Sequence, residues 1–414
     1  MCQVEIYGLS FDEWAHPVEV SLPSSKSICN RALVVGALSG GGKIGNISDC
    51  DDTRAVIGAL KGGDVVDIGA AGTAMRFLTA YFAQCTDCKV RLTGSDRMRK
   101  RPISVLVDAL RGIGADIRYA GEQGYPPLDI RGRKLEGGCI KVDSTVSSQY
   151  ISALLMIAPL CRNGLSMELE GNAASRPYID MTLDVMRDFG VTAVKDGRKI
   201  IVAPQSYKPC DYEVEGDWSA ASYWYEMISL SPLHTSVFLR TLRINSVQGD
   251  SVVAEIFKHF GVSTEYFPDG IRLTKTAAAS GFFRYDFSDC PDLAQTVVAT
   301  CCIMRTGFVI SGIKSLRIKE TDRISALINE CARMGCVLLP DGDESLSFSG
   351  EAEDVTGQLE FHTYDDHRMA MALAPAAMRF KHVEIIDPAV VSKSYPAYWD
   401  DLTKAGFSIV KIRK

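Results

Sequence analysis

Five glycines, Gly114, Gly190, Gly261, Gly335 and Gly406, close the same pattern at intervals of about 70 residues. Before each lies a helical stretch such as Val107–Gly114 or Leu327–Gly335, and after each a strand-like run: ADIRY, VTAV, VSTEY, CVLL and FSIV. Glycine suits this place because it ends a helix in the left-handed conformation without Cβ strain. A sixth copy, Val56–Lys61 with Gly62, comes early. A second series keeps step with the first. It consists of helices apolar on most faces that begin with small or polar residues, near Ser24, Ala71, Ser147, Asp217, Pro291 and Asp365. Two interlocked series imply six α/β units, too long for a solenoid repeat. Three units make a domain of ordinary size, so six predict two similar domains. A helix apolar all round belongs inside its domain, with sheets outside it. The short interval between Arg54 and Gly72 implies that one unit has lost much of a β-hairpin.

Composition narrows the function classes. The net charge of −6 over 414 residues gives no electrostatic reason to expect nucleic acid or an anionic membrane as partner. One segment is locally basic: Arg91, Arg97, Arg99, Lys100 and Arg101, opposed only by Asp96. The start, MCQVEIYGLS, has neither a basic n-region nor an apolar h-region, and the longest apolar stretches are too short to span a bilayer. Thirteen cysteines, an odd number, fit free thiols in a reducing cytosol. Cys85-x-x-Cys88 lacks the second Cys/His pair that a structural zinc site needs.

The second series of helix starts carries the chemistry. A helix N-terminus presents unpaired N–H groups and partial positive charge, which favour anions. Ordinary capping explains Ser, Thr and Asp there, but not the cations that accompany them. Lys26 and Arg31, with Ser27, flank the first start; Gly40–Lys43 is not a nucleotide phosphate loop, because Ala37 and Ile44 occupy positions that require Gly and Ser/Thr. Ala71-Gly72-Thr73 lets a ligand approach the backbone closely. Ser147, Ser148 and Gln149 offer hydroxyl and amide donors, and Ser175 and Tyr178 follow a Gly-Asn turn. Asp292 is either an N-cap or a group that orients a substrate hydroxyl. Lys319, Glu320, Asp322 and Arg323 form the densest ionisable cluster, and a bound anion would restore to Glu320 the proton-carrying ability that its cationic neighbours suppress. His367 and Arg368 begin the sixth inner helix, and Lys393 lies near the C-terminus.

The motifs SSKSICNRAL, AAGTAMR, LTGSDRMRKRPI, VSSQY, IKETDR, DDHRMAM and KSYP occur in this order. As an ordered set they resemble the EPSP synthase (3-phosphoshikimate 1-carboxyvinyltransferase) family of enolpyruvyl transferases, from about Val20 to Tyr398. The resemblance implies two domains, each of three βαβαββ units with inner helices and outer sheets (an inside-out α/β barrel), and an active site in the cleft between them. Residues 19–215 would form the N-terminal domain, and 1–18 with 216–414 the C-terminal one. It implies that Lys26, Ser27, Arg31, Ser147, Ser148, Gln149, Ser175, Tyr178, Asp292, Ser315 and Lys319 meet shikimate 3-phosphate. Phosphoenolpyruvate would meet Lys26, Gly72, Arg97, Gln149, Arg323, Arg368 and Lys393. Lys26, Asp292 and Glu320 would be catalytic. No metal or organic cofactor is implied, and the expected form is a cytoplasmic monomer. Ala70, Phe77 and Ser315 depart from the family's usual Asn, Pro and Asn; Phe77 is expected to alter the adjacent helix start. UDP-N-acetylglucosamine enolpyruvyl transferase shares fold and donor, but the loop Gly94–Arg101 lacks that relative's Cys and carries Asp96 after Ser95. A catalytically silent paralogue is the reading from another class, opposed by the presence of Lys26, Asp292, Glu320 and Lys393.

Overall fold

The computed structural model describes residues 2–7, 18–143, 147–171, 176–380 and 382–413. The chain divides into two compact units, a C-terminal unit of Met1–Pro23 with Glu215–Lys414 and an N-terminal unit of Ser24–Val214. The six inner helices are α1 (Lys26–Ser39), α2 (Gly72–Gln84), α3 (Ser148–Ile157), α4 (Trp218–Leu230), α5 (Ala294–Met304) and α6 (His367–Leu373).

All five late glycines of the first series hold positive φ, between 76° and 102°. Each closes its outer helix in the same way. The N–H of the following residue bonds back across the last turn: Ala115 to Leu110, Val191 to Met186, Val262 to Phe257, Cys336 to Cys331 and Phe407 to Leu402, all at 2.9–3.1 Å. That double-bonded helix end satisfies carbonyls that the helix cannot, and only glycine enters its left-handed position without strain. The spacing of glycines in the sequence is therefore the spacing of one recurring helix stop.

Five four-stranded sheets follow one plan. A parallel pair is extended by an antiparallel hairpin, as in Val65–Asp67, Lys89–Thr93, Leu128–Arg131 and Asp116–Tyr119. An inner helix precedes the second strand, and the outer helix with its glycine stop precedes the hairpin. In the last sheet of the C-terminal unit the hairpin is assembled from the chain ends, with Cys2–Tyr7 lying between His382–Ile386 and Ser408–Arg413. Among the described residues the sixth sheet has only its parallel pair, Ile44–Gly45 with Tyr212–Glu213. The missing strands are those that the short Arg54–Gly72 interval cannot hold. The consequence reaches the core. Every residue of α5 from Ala294 to Ile303 is buried, and all of α6, whereas α1 buries Ile28–Ala32, Val34 and Val35 and leaves Ala37 exposed.

One boundary differs from expectation. The strand Val18–Ser21, assigned from sequence partly to the N-terminal domain, pairs in parallel with Ser236–Arg240 and so completes a sheet of the C-terminal unit. Four short residues carry no local sign of which sheet they will join, because pairing is decided by distant partners.

Candidate active site

The C-terminal unit gathers its charged residues at helix starts. Asp217 caps α4, accepting from Ser219 and Ala220 N–H, and Asp366 caps α6, accepting from Arg368 N–H at 2.9 Å. Asp292 lies in the single turn Pro291–Leu293 that leads into α5. Asp322 caps the outer helix Arg323–Arg333, accepting from Ile324 and Ser325 N–H at 3.2 Å.

Arg323 is the centre of this arrangement. It is 1% exposed, and its guanidinium donates to Asp366 Oδ2 at 2.7 Å, Asp292 Oδ1 at 3.0 Å and Glu320 Oε2 at 2.8 Å. A buried guanidinium persists only where its donors meet acceptors, and three carboxylates drive its proton affinity above the ordinary value despite burial. Arg368 donates to the other oxygen of Asp292, Oδ2, at 3.0 Å, and Lys319 Nζ lies 3.8 Å from Oδ1. Asp292 is thus held among three cations. Arg368 also reaches Ser219 Oγ at 3.4 Å, which joins the starts of α4, α5 and α6 in one network. Lys393 Nζ donates to the Asp365 carbonyl at 2.8 Å. Ser315 is half-buried in the turn Lys314–Ile318.

Beneath this network lies an acid that the sequence did not single out. Ser219 Oγ bonds to the buried Asp250 carboxyl. Burial first, then the nearby Asp292 charge, pushes Asp250 up to about 7, against the opposing pull of Arg368.

The N-terminal unit is organised differently. Ser25 caps α1 through Ile28 N–H, and Lys26 Nζ stands 3.5 Å from Asp52 Oδ2. Arg31 is 2% exposed, yet no carboxylate of the described residues pairs with it. It donates to Thr182 Oγ1 at 2.7 Å, Ser27 O at 2.8 Å, Ser152 Oγ at 3.0 Å and Tyr178 O at 3.2 Å. Burial lowers its pKa to about 10. Its guanidinium carbon lies 5.1 Å from the Phe77 ring centre and 5.8 Å from that of Tyr178. Phe77 therefore does more than replace a proline: α2 starts at Gly72 regardless, and the fully buried ring gives Arg31 an aromatic face.

The start of α2 has no side-chain cap, since Ala71 occupies that position and Ala70 before it is exposed. A Cβ on Gly72 would sit 2.6 Å from Arg101 Nη1, so a second guanidinium covers this turn. Arg76, buried, donates to Gly72 O and Pro102 O, and burial together with Arg101 lowers its pKa to about 10. Arg97 is exposed. Gln149 Nε2 donates to Thr73 Oγ1 at 3.3 Å, linking the starts of α3 and α2, while Ser147 caps α3 and Ser148 is buried. Ser175 lies outside the described residues.

A family model described as EPSP synthase (3-phosphoshikimate 1-carboxyvinyltransferase) matches residues 61–402. The chain belongs to the EPSP synthase family. A 3-phosphoshikimate 1-carboxyvinyltransferase of Bacteroides fragilis (strain YCH46) is 51% identical over 393 residues, covering 94% of this chain and 95% of the relative. One from Histophilus somni (strain 2336) is 35% identical, covering 93% and 96%. An EPSP synthase structure from Acinetobacter baumannii superposes with a TM-score of 0.82 at 21% identity over 100% of both chains, which shows the inside-out α/β fold in two domains.

Within that family frame, the motif residues Asp292, Glu320, Arg323 and Arg368 lie in one hydrogen-bonded network of the C-terminal unit. Asp250 and Ser219 carry no local signal in the sequence, whereas Phe77 is legible as a departure from the family's proline and Arg101 as part of the basic run, neither pointing to the contact it makes. Among the described residues no helix is long and apolar enough to cross a membrane, and no group of three or more His, Cys, Asp or Glu is placed to hold a metal.

Proposed function

We propose that this protein transfers the enolpyruvyl group of phosphoenolpyruvate to the 5-hydroxyl of shikimate 3-phosphate and releases phosphate. The observation that carries the reading is the Arg323 network, in which two acids with separable tasks, Asp292 and Glu320, share one buried guanidinium. Its weight comes from a 51% identical relative bearing the name 3-phosphoshikimate 1-carboxyvinyltransferase.

The chemistry follows from competition for cations. Arg323 and Arg368 spend their donors on Asp292, Glu320 and Asp366. The carboxylate and phosphate of phosphoenolpyruvate, with Lys393, Arg97 and the open turn at Gly72 as further donors, draw on the same guanidiniums. Glu320 then regains proton affinity and protonates C3 of the enol. C2 becomes electrophilic, Asp292 takes the proton of the 5-hydroxyl, and the oxygen adds to C2 with Lys26 near it. The tetrahedral intermediate collapses: the C2–O bond to phosphate breaks as Glu320 removes a proton from the new methyl. Lys26, Ser27, Ser147, Ser148, Gln149, Ser175, Ser315 and Lys319 hold shikimate 3-phosphate. Arg31 acts on Ser27 through its carbonyl and fixes α1 against α3. The reading takes the enzyme as a cytoplasmic monomer that needs no metal or organic cofactor.

Phosphate release from phosphoenolpyruvate tests it, with shikimate 3-phosphate, with UDP-N-acetylglucosamine and with neither, each with and without EDTA. Release with shikimate 3-phosphate alone, unchanged by EDTA, is expected. Release only with the UDP-sugar, or binding of phosphoenolpyruvate without release, would overturn it.

A further inference from the structure

Two consecutive non-glycine residues just before α6, Tyr364 and Asp365, have φ of 54° and 56°. The Asp366 N–H closes on the Thr363 carbonyl at 2.8 Å, so they are the central residues of a tight turn with both φ positive. Asn and Gly usually fill such turns, and an aromatic side chain there is strained. Strain of this kind persists only where its surroundings over-determine it.

The surroundings are two residues of one outer helix. Glu330, fully buried, accepts from Tyr364 O–H at 2.6 Å and from His362 N–H at 3.0 Å, with Arg333 Nε at 3.1 Å. Arg323, two helical turns earlier on the same face, grips the Asp366 carboxylate. The turn is pinned on both sides by the helix Arg323–Arg333, and it delivers the Asp365 carbonyl to Lys393 Nζ and the Asp366 carboxylate to Arg368 N–H.

We infer that Glu330 and Tyr364 are positioning residues for phosphoenolpyruvate: they hold the strained turn that places Lys393 and Arg368. Neither is assigned to a substrate above, and the inference rests on the proposed function only in assigning Lys393 and Arg368 to phosphoenolpyruvate.

The test is Tyr364→Phe in the full chain. Amide exchange at Asp366, His367 and Arg368 in the ligand-free protein should rise about tenfold. KM for phosphoenolpyruvate should rise about tenfold, with KM for shikimate 3-phosphate changed by less than about twofold. Adding Asp365→Gly should bring KM for phosphoenolpyruvate back to within about threefold of the unaltered protein, since glycine holds a positive φ without a clamp. Unchanged exchange, equal shifts in both KM values, or no recovery in the double variant would overturn the inference. If Tyr364→Phe does not fold, Glu330→Gln must show the same exchange and KM pattern. Exchange needs no substrate, so an inactive but protected unaltered protein would sink the functional reading and leave the clamp standing.

Discussion

The two units share a plan of sheets around inner helices but treat their buried arginines in opposite ways. In the C-terminal unit the buried guanidiniums are matched by acids: Arg323 meets Asp366, Asp292 and Glu320, and Arg368 meets Asp292. In the N-terminal unit Arg31 and Arg76 are buried against hydroxyls, carbonyls and aromatic faces. Among the described residues no carboxylate pairs with them or with Arg97 or Arg101. A matched network can hold and pass a proton, because each acid has a cation to trade. An unmatched set of cations keeps its positive potential for an arriving anion.

Substitutions at five positions probe that contrast, in descending order of effect. Lys26→Met removes a residue that the proposed mechanism makes catalytic and should lower kcat/KM at least about a thousandfold in the phosphate-release assay, with circular dichroism unchanged. Near-normal activity would take Lys26 out of the site. Arg323→Ala leaves three carboxylates without their shared partner and should cost about 3–5 kcal/mol in urea unfolding. Arg31→Ala, lacking counter-charges to strand, should cost less; the reverse order would break the contrast.

Asp250 adds a pH signature to the C-terminal unit. Its folded value of about 7 exceeds the ordinary 3.8, so between those values the folded state holds a proton that the unfolded chain has released. Its contribution to stability therefore falls as pH rises from about 4 to 7, by on the order of 4 kcal/mol at most. Urea midpoints across that range should decline for the unaltered protein and decline less steeply for Asp250→Asn, with buried Glu226 and Glu215 keeping part of the slope; an unchanged slope would refute the assignment. Smallest is Phe77→Leu, which keeps an apolar volume but removes the face under Arg31. A double-mutant cycle with Arg31→Met should give a coupling of about 0.5–2 kcal/mol, and zero coupling would make Phe77 mere packing.

Much of this was legible in the chain. The glycine series became five identical helix stops because a left-handed residue at a helix end is a local requirement. The short Arg54–Gly72 interval corresponded to a sheet reduced to two strands, because a hairpin needs residues to span it. The motif residues around Arg323 were legible as a set, and their partners were not. Asp250 follows an unremarkable turn, and only the α4 start beside it makes it a buried acid. Glu330 is one more polar residue on an amphipathic helix in the sequence, and only the bond from Tyr364 sets it apart. Cys2–Tyr7 pairs with strands near the far end of the chain, a contact no local periodicity encodes.

The most direct test of the account is to run the reaction in deuterium oxide and examine the enol ether formed from phosphoenolpyruvate and shikimate 3-phosphate by NMR. In the proposed mechanism C3 passes through a methyl group before Glu320 removes a proton, so solvent deuterium should enter the methylene of the product. A product whose methylene stays fully protiated would contradict addition followed by elimination, and the paired roles given to Asp292 and Glu320 with it.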